Sequence, residues 1–339
     1  MADKKFRVLV PEPLPTVRKE VLMKAADQFP PGTEIIRKDF VDLNEVPEQF
    51  LDVDVLFIYK LPVKAEHFER FPKVKVLVRT GVGVNNVDID AADKHGVSVH
   101  NVPDYGSKTV ASHAVLMALG MVRNLFGYHD SMRKPGAIDW DPADTSRSQA
   151  PVDLRVGILG RGRIGSEAAK LYLAHGCEVI FFDIDKNLKS IEGVTRVDTL
   201  DQLLRLSHIL SLHVPDTKDT KGMIGAAQIE LLPYEAVIVN TARGLVLDLD
   251  PVHKALQSGK LRGVCLDVMP KEPLTKENMH PLVIAYRARE AWLEGKVMVT
   301  PHSASHGRTP AENIHMFAAK TAAMALKGEF RNQIKPGGF

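Results

Sequence analysis

The stretch from Leu154 to Asp183 restricts the possible fold more than any other part of the sequence. The apolar run Leu154–Leu159 has the composition of a buried strand and leads into a GxGxxG turn at residues 160–165. A helical pattern follows over Ile164–Ala174, and a second apolar run ends on Asp183. Strand, glycine turn, helix and strand with a terminal acid are the ordered parts of a dinucleotide-binding unit. The sequence therefore predicts a Rossmann-like parallel sheet here.

Each of the three glycines in this turn has a steric reason to be glycine. Gly160 permits the tight turn, Gly162 leaves room for a pyrophosphate, and Gly165 lets the helix pack close to the strand. The free N–H groups and partial positive charge of the helix N-terminus favour phosphate binding. Asp183 can accept hydrogen bonds from ribose hydroxyls and would repel a 2′-phosphate, and no arginine directly follows it. We therefore expect NAD rather than NADP.

Short apolar runs alternate with helical patterns on both sides of this unit. Strand-like runs are expected at Phe6–Val10, Glu34–Ile36, Val53–Ile58, Val74–Val78, Val97–Val99, Ile209–His213, Ala236–Asn240, Gly263–Val268 and Lys296–Val299. Long helical patterns span Lys108–His129 and Thr309–Leu326. This alternation predicts an α/β protein with doubly wound parallel sheets.

Composition excludes several classes of partner. The net charge is +2 and the basic residues are scattered, so a nucleic-acid surface is not expected. The most apolar helical stretch, Val110–Val122, is too short to span a membrane, and the N-terminus does not resemble a secretory signal. Cys177 and Cys265 lie in separate apolar runs, and no spacing of His, Asp or Glu suggests a metal site. We expect a cytoplasmic protein without a metal.

Three polar residues follow predicted strands of the later part of the chain, where ligands bind in open α/β sheets. They are Arg243, Glu272 and His302. Each taken alone could be a surface arginine, a solvated loop glutamate or a structural histidine. Together they supply what reduction of a 2-keto acid needs. The histidine would protonate the carbonyl oxygen, the glutamate would favour the imidazolium, and the arginine would bind the substrate carboxylate and carbonyl.

The chain also resembles the D-isomer-specific 2-hydroxyacid dehydrogenase family. The matching stretches are Arg79–Asp88, Asn101–Pro103, the glycine turn with Asp183, His213–Pro215 with Thr217 and Thr220, Asn240–Gly244, Asp267–Pro273 and Thr300–His302. The resemblance implies two Rossmann-like domains with an active-site cleft between them. Residues 1–105 plus 305–339 would form a flavodoxin-like substrate-binding domain, and residues 106–304 the NAD-binding domain. The 108–129 helix region would help to form a homodimer.

The same resemblance implies roles for individual residues. Arg243, Glu272 and His302 correspond to the catalytic trio, with His302 as acid/base. The backbone of Gly81, Val82 and Gly83 would hold the substrate carboxylate, and Arg79 and Tyr105 are further expected substrate contacts. The cofactor contacts implied are Gly160, Gly162, Arg163, Ile164, Gly165, Asp183, His213, Val214, Pro215, Thr220, Thr241, Ala242 and Asp267.

Some features are similar to the branch that includes the C-terminal-binding-protein corepressors. They are Arg79, the spacing near Tyr105 and the long Pro281–Lys296 stretch. That branch carries a tryptophan three residues after the catalytic histidine, where this chain has Ser305. An NAD-sensing module that binds protein partners is thus the alternative to a dehydrogenase.

Two other enzymes on this fold are less compatible with the residues. Formate dehydrogenases pair the histidine with glutamine rather than with the glutamate found at Glu272, and phosphite dehydrogenases carry a lysine at the position of Val82. The identity of the 2-keto acid stays open among hydroxypyruvate, glyoxylate, pyruvate and bulkier aryl keto acids.

Overall fold

A computed structural model describes residues 5–133, 140 and 148–337. The chain divides into two compact units. Unit 1 comprises Met1–Gly106 together with His306–Phe339, and unit 2 comprises Ser107–Ser305. Each unit is built around its own sheet, which confirms the α/β class with two largely parallel sheets.

The elements alternate along most of the described chain. The strands are β1 (Arg7–Val10), β2 (Glu34–Arg37), β3 (Val55–Ile58), β4 (Val76–Arg79), β5 (Ser98–Asn101), β6 (Arg155–Leu159), β7 (Glu178–Phe182), β8 (Val194–Arg196), β9 (Ile209–Leu212), β10 (Ala236–Asn240), β11 (Leu261–Leu266), β12 (Val297–Val299) and β13 (Gln333–Ile334). The helices are α1 (Lys19–Ala26), α2 (Ala65–Arg70), α3 (Ile89–Lys94), α4 (Ser107–Val122), α5 (Leu125–Ser131), α6 (Arg163–Ala174), α7 (Leu200–Leu206), α8 (Ala226–Leu231), α9 (Leu249–Ser258), α10 (Pro281–Arg287) and α11 (Arg308–Leu326).

The sheet of unit 1 has the strand order β13-β5-β4-β3-β1-β2. Strands β1 to β5 are parallel, whereas β13 runs antiparallel to β5 with Ile334 opposite Val99. Helix α11 covers one face of this sheet, where Ala318 and Ala322 share a core with Val8 and Val78. Alanines on the covering face let the helix axis lie close to the strands.

The sheet of unit 2 has the order β12-β11-β10-β9-β6-β7-β8, and all seven strands are parallel. Its central strands are buried on both faces, as is typical of doubly wound sheets. In β10, for example, Val237 and Val239 join a core with α4 and α6, whereas Ile238 joins a core with α7 and α9. Because all seven strands are parallel, their carboxyl ends lie along one edge of the sheet.

The prediction of a continuous helix over Lys108–His129 is wrong. Helix α4 ends at Val122 and α5 begins at Leu125. Between them Asn124 adopts a left-handed conformation with φ +49°, which asparagine tolerates better than most residues. The Asn124 side chain turns toward Gly127, where its Oδ1 lies 2.3 Å from the position a Cβ would occupy. Glycine at 127 thus leaves space for the amide that ends the helix.

No single helix in the described ranges has both the length and the apolar composition to cross a membrane; only α4 and α5 taken together, with a 60° bend, meet that test.

Candidate active site

Most of the predicted site residues of unit 2 lie just beyond the carboxyl ends of its strands. Gly160 follows β6, Asp183 follows β7, and His213, Val214 and Pro215 follow β9. Thr241, Ala242 and Arg243 follow β10, Asp267 follows β11, and His302 lies three residues beyond β12. Because the strands are parallel, the sheet gathers these residues along one edge, where α/β proteins bind ligands.

The glycine turn shows which positions forbid a side chain and which leave space. Gly160 has φ +85°, and a Cβ there would lie 2.8 Å from Val214 Cγ1. A Cβ on Gly165 would lie 2.1 Å from the Gly160 carbonyl oxygen, because α6 packs directly on the turn. At Gly162, the residue preceding α6, a Cβ would meet no described atom within 4 Å. The turn therefore presents an open cradle at the helix N-terminus, and this cradle fits a pyrophosphate.

The Asp183 carboxylate is held in place at the end of β7. Its Oδ2 accepts a hydrogen bond from the Arg161 N–H at 2.7 Å, and its Oδ1 accepts one from the Asp185 N–H at 2.9 Å. The guanidinium of Arg161 is buried against the Phe181 ring, 4.3 Å from its centroid. Burial lowers the pKa of Arg161, and the Asp183 charge opposes that shift. The carboxylate is thus fixed one residue past the strand, the position of the ribose-binding acid in dinucleotide-binding folds.

Two other predicted cofactor contacts show different local environments. Thr241 is buried, and its Oγ1 has no hydrogen-bond partner among the described residues, so it retains a donor and an acceptor for a bound group. The ring of His213 turns into the fold, where Nε2 lies 2.9 Å from Ser211 Oγ. Burial lowers the pKa of His213 to about 4. His213 therefore lines the turn with its backbone rather than with a charged ring.

The other predicted cofactor residues belong to the same edge. Thr220 Oγ1 donates to the Pro215 carbonyl at 2.5 Å and accepts from the Thr217 N–H at 2.8 Å, which closes the loop after β9. Arg163 and Ile164 form the first turn of α6. The open cradle, the fixed acid and the unpartnered Thr241 hydroxyl are together compatible with NAD.

Glu272 and His302 are in direct contact. His302 Nδ1 lies 2.5 Å from Glu272 Oε2, and Glu272 Oε1 accepts a hydrogen bond from the Met269 N–H at 2.7 Å. Burial acts to raise the pKa of Glu272. The hydrogen bonds from His302 and Met269, with the charges of His302 and Arg243, outweigh that effect, so the pKa lies below its ordinary value. Glu272 is therefore a carboxylate that fixes the ring and leaves His302 Nε2 for another partner.

Arg243 lies close to this pair through backbone packing. Gly244 contacts the loop after β11 so tightly that a Cβ there would lie 2.0 Å from the Met269 carbonyl carbon. The Arg243 guanidinium donates from Nη1 to the Ala242 carbonyl at 2.7 Å, and Arg243 is close enough to lower the pKa of Glu272. The structure thus brings the three predicted catalytic residues together in unit 2.

The carboxylate of Asp267 holds the turn that contains His302, a role that the sequence pattern did not predict. Its buried carboxylate accepts hydrogen bonds from Thr300 Oγ1 at 2.5 Å and from the N–H groups of Ser303 and Ala304 at 2.8 and 2.9 Å. Between these contacts His302 has φ +51°, a conformation that is uncommon for residues other than glycine. Asp267 therefore holds both sides of the turn that carries His302.

The predicted substrate residues lie in unit 1, at the carboxyl end of β4. The guanidinium of Arg79 lies over Gly81, since a Cβ on Gly81 would be 1.6 Å from Arg79 Nη1. Asn101 Nδ2 donates to the Val82 carbonyl at 2.7 Å and so fixes the loop. Of the three predicted backbone donors, the Gly81 N–H donates to the Arg79 carbonyl at 2.8 Å, whereas the N–H groups of Val82 and Gly83 donate no hydrogen bond within the described chain. The loop thus leaves two N–H donors without a partner among the described residues.

Tyr105 packs against the unit 1 core, and its carbonyl accepts a hydrogen bond from Asn313 Nδ2 at 3.1 Å. It lies near Tyr59, whose pKa is raised by burial and by Tyr105, with Arg79 opposing. Arg79 lies 5.8 Å from the centroid of the Tyr59 ring. Tyr59 is therefore a neighbour of the predicted substrate residues, although no sequence pattern singled it out.

Glu12 is a second residue of unit 1 for which the sequence patterns predicted no role. Its buried carboxylate accepts hydrogen bonds from the N–H groups of Tyr59, Lys60 and Leu61 at 2.6 to 3.2 Å. This contact fixes the loop that follows β3. The available signal was an acid between two prolines directly after a buried strand.

No cluster of three or more His, Cys, Asp or Glu side chains suited to a metal is present in the described part of the chain.

Comparison with known proteins identifies the family. Residues 115–304 match the NAD binding domain of the D-isomer specific 2-hydroxyacid dehydrogenases. The chain belongs to that family. The assignment agrees with the open glycine cradle and supports NAD as the cofactor.

Two relatives and one solved structure illustrate the similarity. The chain is 32% identical to a D-3-phosphoglycerate dehydrogenase of Methanocaldococcus jannaschii over 86% of this chain and 53% of that protein. It is 33% identical to a D-lactate dehydrogenase of Treponema pallidum over 76% of this chain and 77% of that protein. The structure of an Aquifex aeolicus D-lactate dehydrogenase complexed with NAD and lactic acid aligns with a TM-score of 0.77 and 27% identity, over 95% of this chain and 96% of that one. The chain spans about half the length of the phosphoglycerate dehydrogenase it matches.

Proposed function

We propose that this protein is an NAD-dependent D-2-hydroxyacid dehydrogenase that interconverts a 2-keto acid and a D-2-hydroxy acid. The observation that carries the proposal is the contact of His302 Nδ1 with Glu272 Oε2, with Arg243 close to the same carboxylate. A histidine fixed at Nδ1 by a carboxylate can present Nε2 to a carbonyl oxygen. The family assignment and the dehydrogenases among the relatives support the same reaction class.

In the direction of reduction, NADH bound at the glycine turn would supply the hydride for the carbonyl carbon of the keto acid. His302 gives a proton from Nε2 to the carbonyl oxygen, and the hydroxyl group is complete. The negative charge of Glu272 stabilises the imidazolium before that transfer and holds the ring in one orientation. In oxidation His302 accepts the same proton.

Arg243 is the proposed partner of the substrate carboxylate and carbonyl. Its guanidinium can form two parallel hydrogen bonds to a carboxylate and can stabilise negative charge on the reacting oxygen. In unit 1, the N–H groups of Val82 and Gly83 are the proposed donors to the substrate carboxylate, with Arg79 and Tyr105 as further contacts. This donor set fits the loop geometry at the end of β4.

The test is an activity panel with purified protein, NADH or NADPH, and a range of 2-keto acids that includes pyruvate, glyoxylate, hydroxypyruvate and aryl keto acids. Oxidation of NADH is followed by its absorbance. We expect fast reduction of at least one keto acid with NADH. The His302→Asn variant is the control and should be inactive with the same keto acid. Tight binding of NADH without reduction of any keto acid would contradict the proposal.

The relatives above are dehydrogenases, so these comparisons do not favour the corepressor-like alternative.

We also propose that the protein is cytoplasmic, because both cysteines are free and buried and NADH is available there. Cell fractionation with an antibody tests that location, and recovery in a membrane or secreted fraction would contradict it.

We further propose a homodimer formed through the 108–129 helix region. Leu116, Leu125 and Phe126 of this region are 66%, 58% and 50% exposed, which is unusual for large apolar side chains that lie close together in the chain. Light scattering after size-exclusion chromatography tests the proposal. We expect a dimer that Leu116→Lys converts to a monomer, and a wild-type monomer would contradict it.

A further inference from the structure

Helix α4 carries a histidine whose ring contacts the turn that holds His302. His113 Nε2 lies 3.1 Å from Thr300 Oγ1 and 3.8 Å from Asp267 Oδ1, and its side chain is 26% exposed. Helix α4 is otherwise rich in apolar residues, and Met117 one turn later contacts the same threonine. His113 is therefore a polar group through which α4 reaches the loop after β12.

The hydroxyl of Thr300 determines which atom donates in this contact. Thr300 Oγ1 lies 2.5 Å from Asp267 Oδ1, and a carboxylate can only accept, so the single hydroxyl proton of Thr300 is given to Asp267. The oxygen of Thr300 is then left as an acceptor toward His113. His113 must carry its proton on Nε2, and the hydrogen bonds run in one direction from His113 to Thr300 to Asp267.

Asp267 extends this chain of hydrogen bonds to the turn of His302. Its two carboxylate oxygens accept from the N–H groups of Ser303 and Ala304, and its own carbonyl accepts from the His302 N–H at 2.8 Å. These bonds enclose a residue in the left-handed region, a conformation that persists only where its surroundings fix it. Movement of Thr300 or Asp267 would therefore move the His302 ring relative to Glu272.

We propose that His113 is a positioning residue for the acid/base His302. It acts through Thr300 and Asp267 and fixes the turn at residues 300–304, without contact with the reacting atoms. The inference rests on the proposed function for its catalytic consequence, but the ordering of the turn is a property of the protein in the absence of any reaction.

The test compares His113→Leu, which removes the donor, with His113→Gln, which keeps an amide donor at similar reach. His253→Gln is the matched control, because His253 is another half-buried histidine of unit 2 and stacks on Trp292 with ring centroids 5.5 Å apart. Two readouts are used. One is backbone amide exchange in the peptide that contains Ser303 and Ala304, and the other is kcat and KM for NADH.

We expect His113→Leu to speed exchange of the Ser303 and Ala304 amides by about tenfold, as for loss of one hydrogen bond. It should lower kcat by about tenfold while KM for NADH stays within about twofold, because the group acts on the proton donor and not on cofactor binding. His113→Gln should restore most of both losses, and His253→Gln should resemble the wild type.

Unchanged exchange in His113→Leu would overturn the inference, and so would equal defects in the Leu and Gln variants, which would indicate packing alone. A wild-type protein that reduces no keto acid would remove the proposed function, whereas the exchange comparison would still decide the role of His113. The two failures are therefore distinguishable.

Discussion

The carbonyl oxygen of Gly160 lies 2.1 Å from the point that a Cβ atom on Gly165 would occupy. Helix α6 thus rests on the glycine turn with no space for a methyl group. We expect Gly165→Ala to lower the free energy of unfolding by about 1 to 3 kcal/mol, the usual cost of overpacking. Urea unfolding followed by circular dichroism measures this change. A variant as stable as the wild type would show that α6 can move away from the turn.

Gly162→Ala is the complementary change, because a Cβ there meets no described atom within 4 Å. We expect the stability to stay within about 0.5 kcal/mol of the wild type. The affinity for NADH should fall at least about tenfold, since the methyl group would occupy the space left for the pyrophosphate. Quenching of protein fluorescence by NADH measures the affinity. Unchanged affinity would place the pyrophosphate elsewhere.

His302→Asn should reduce kcat by at least about a hundredfold, the usual scale for loss of a general acid. His280→Asn is a matched control, because His280 Nε2 also lies near a carboxylate, but that of Asp250, whose Oδ1 is 3.1 Å away. The measurement is kcat of both variants and of the wild type, with the keto acid that the wild type reduces fastest. If the two variants lost activity equally, His302 would have no special part in proton transfer.

Asp183→Ala should reduce the preference for NADH over NADPH by about tenfold or more, because the carboxylate that repels a 2′-phosphate is gone. The buried guanidinium of Arg161 next to it would remain and would favour the added phosphate. Asp185→Ala is the control, since Asp185 is exposed and contributes its N–H, not its carboxylate, to the contact with Asp183. The ratio of kcat/KM for the two cofactors is the measurement, and an unchanged ratio would assign the preference to another residue.

The buried ring of His213 makes stability depend on pH in a defined direction. Its pKa is lowered from 6.5 to about 4, so the folded protein favours the neutral ring. The stabilisation is complete above about pH 6.5 and is lost as the pH falls toward 4, by on the order of 2 to 3 kcal/mol. Other buried histidines with lowered pKa values, such as His100 and His315, add to the same trend.

His213→Gln isolates the contribution of this one ring, because the amide can still bond to Ser211 and does not titrate. We expect the wild type to lose more of its unfolding free energy than the variant between pH 7 and pH 4.5. Urea unfolding across that range makes the comparison. Parallel curves for the two proteins would mean that His213 titrates alike in the folded and unfolded states.

Several parts of this architecture are predictable from local sequence. The strands from β6 to β7 and the glycine turn depend on contiguous patterns, and the structure has them where the pattern lies. The contact of His302 with Glu272 was expected through resemblance, because spacing alone cannot bring together residues from different loops.

Other features depend on tertiary contacts that a local pattern does not contain. Strands β8 and β13 have three and two residues and exist through pairing with β7 and β5. The break at Asn124 depends on the space left by Gly127, and the hydrogen bond of His113 depends on where α4 crosses the loop after β12. Such contacts are set by packing between elements distant in the chain.

The arrangement of unit 1 has a consequence for the order of folding during synthesis. Its sheet takes β1 to β5 from the first part of the chain, whereas α11 and β13 follow after the whole of unit 2. Because a ribosome releases the chain from its N-terminus, unit 2 can complete its core while Val8 and Val78 still lack the alanine face of α11. The unit that holds the nucleotide is thus finished first. The unit that begins earlier on the messenger is closed last, and its exposed sheet face has to be kept from other chains in the meantime.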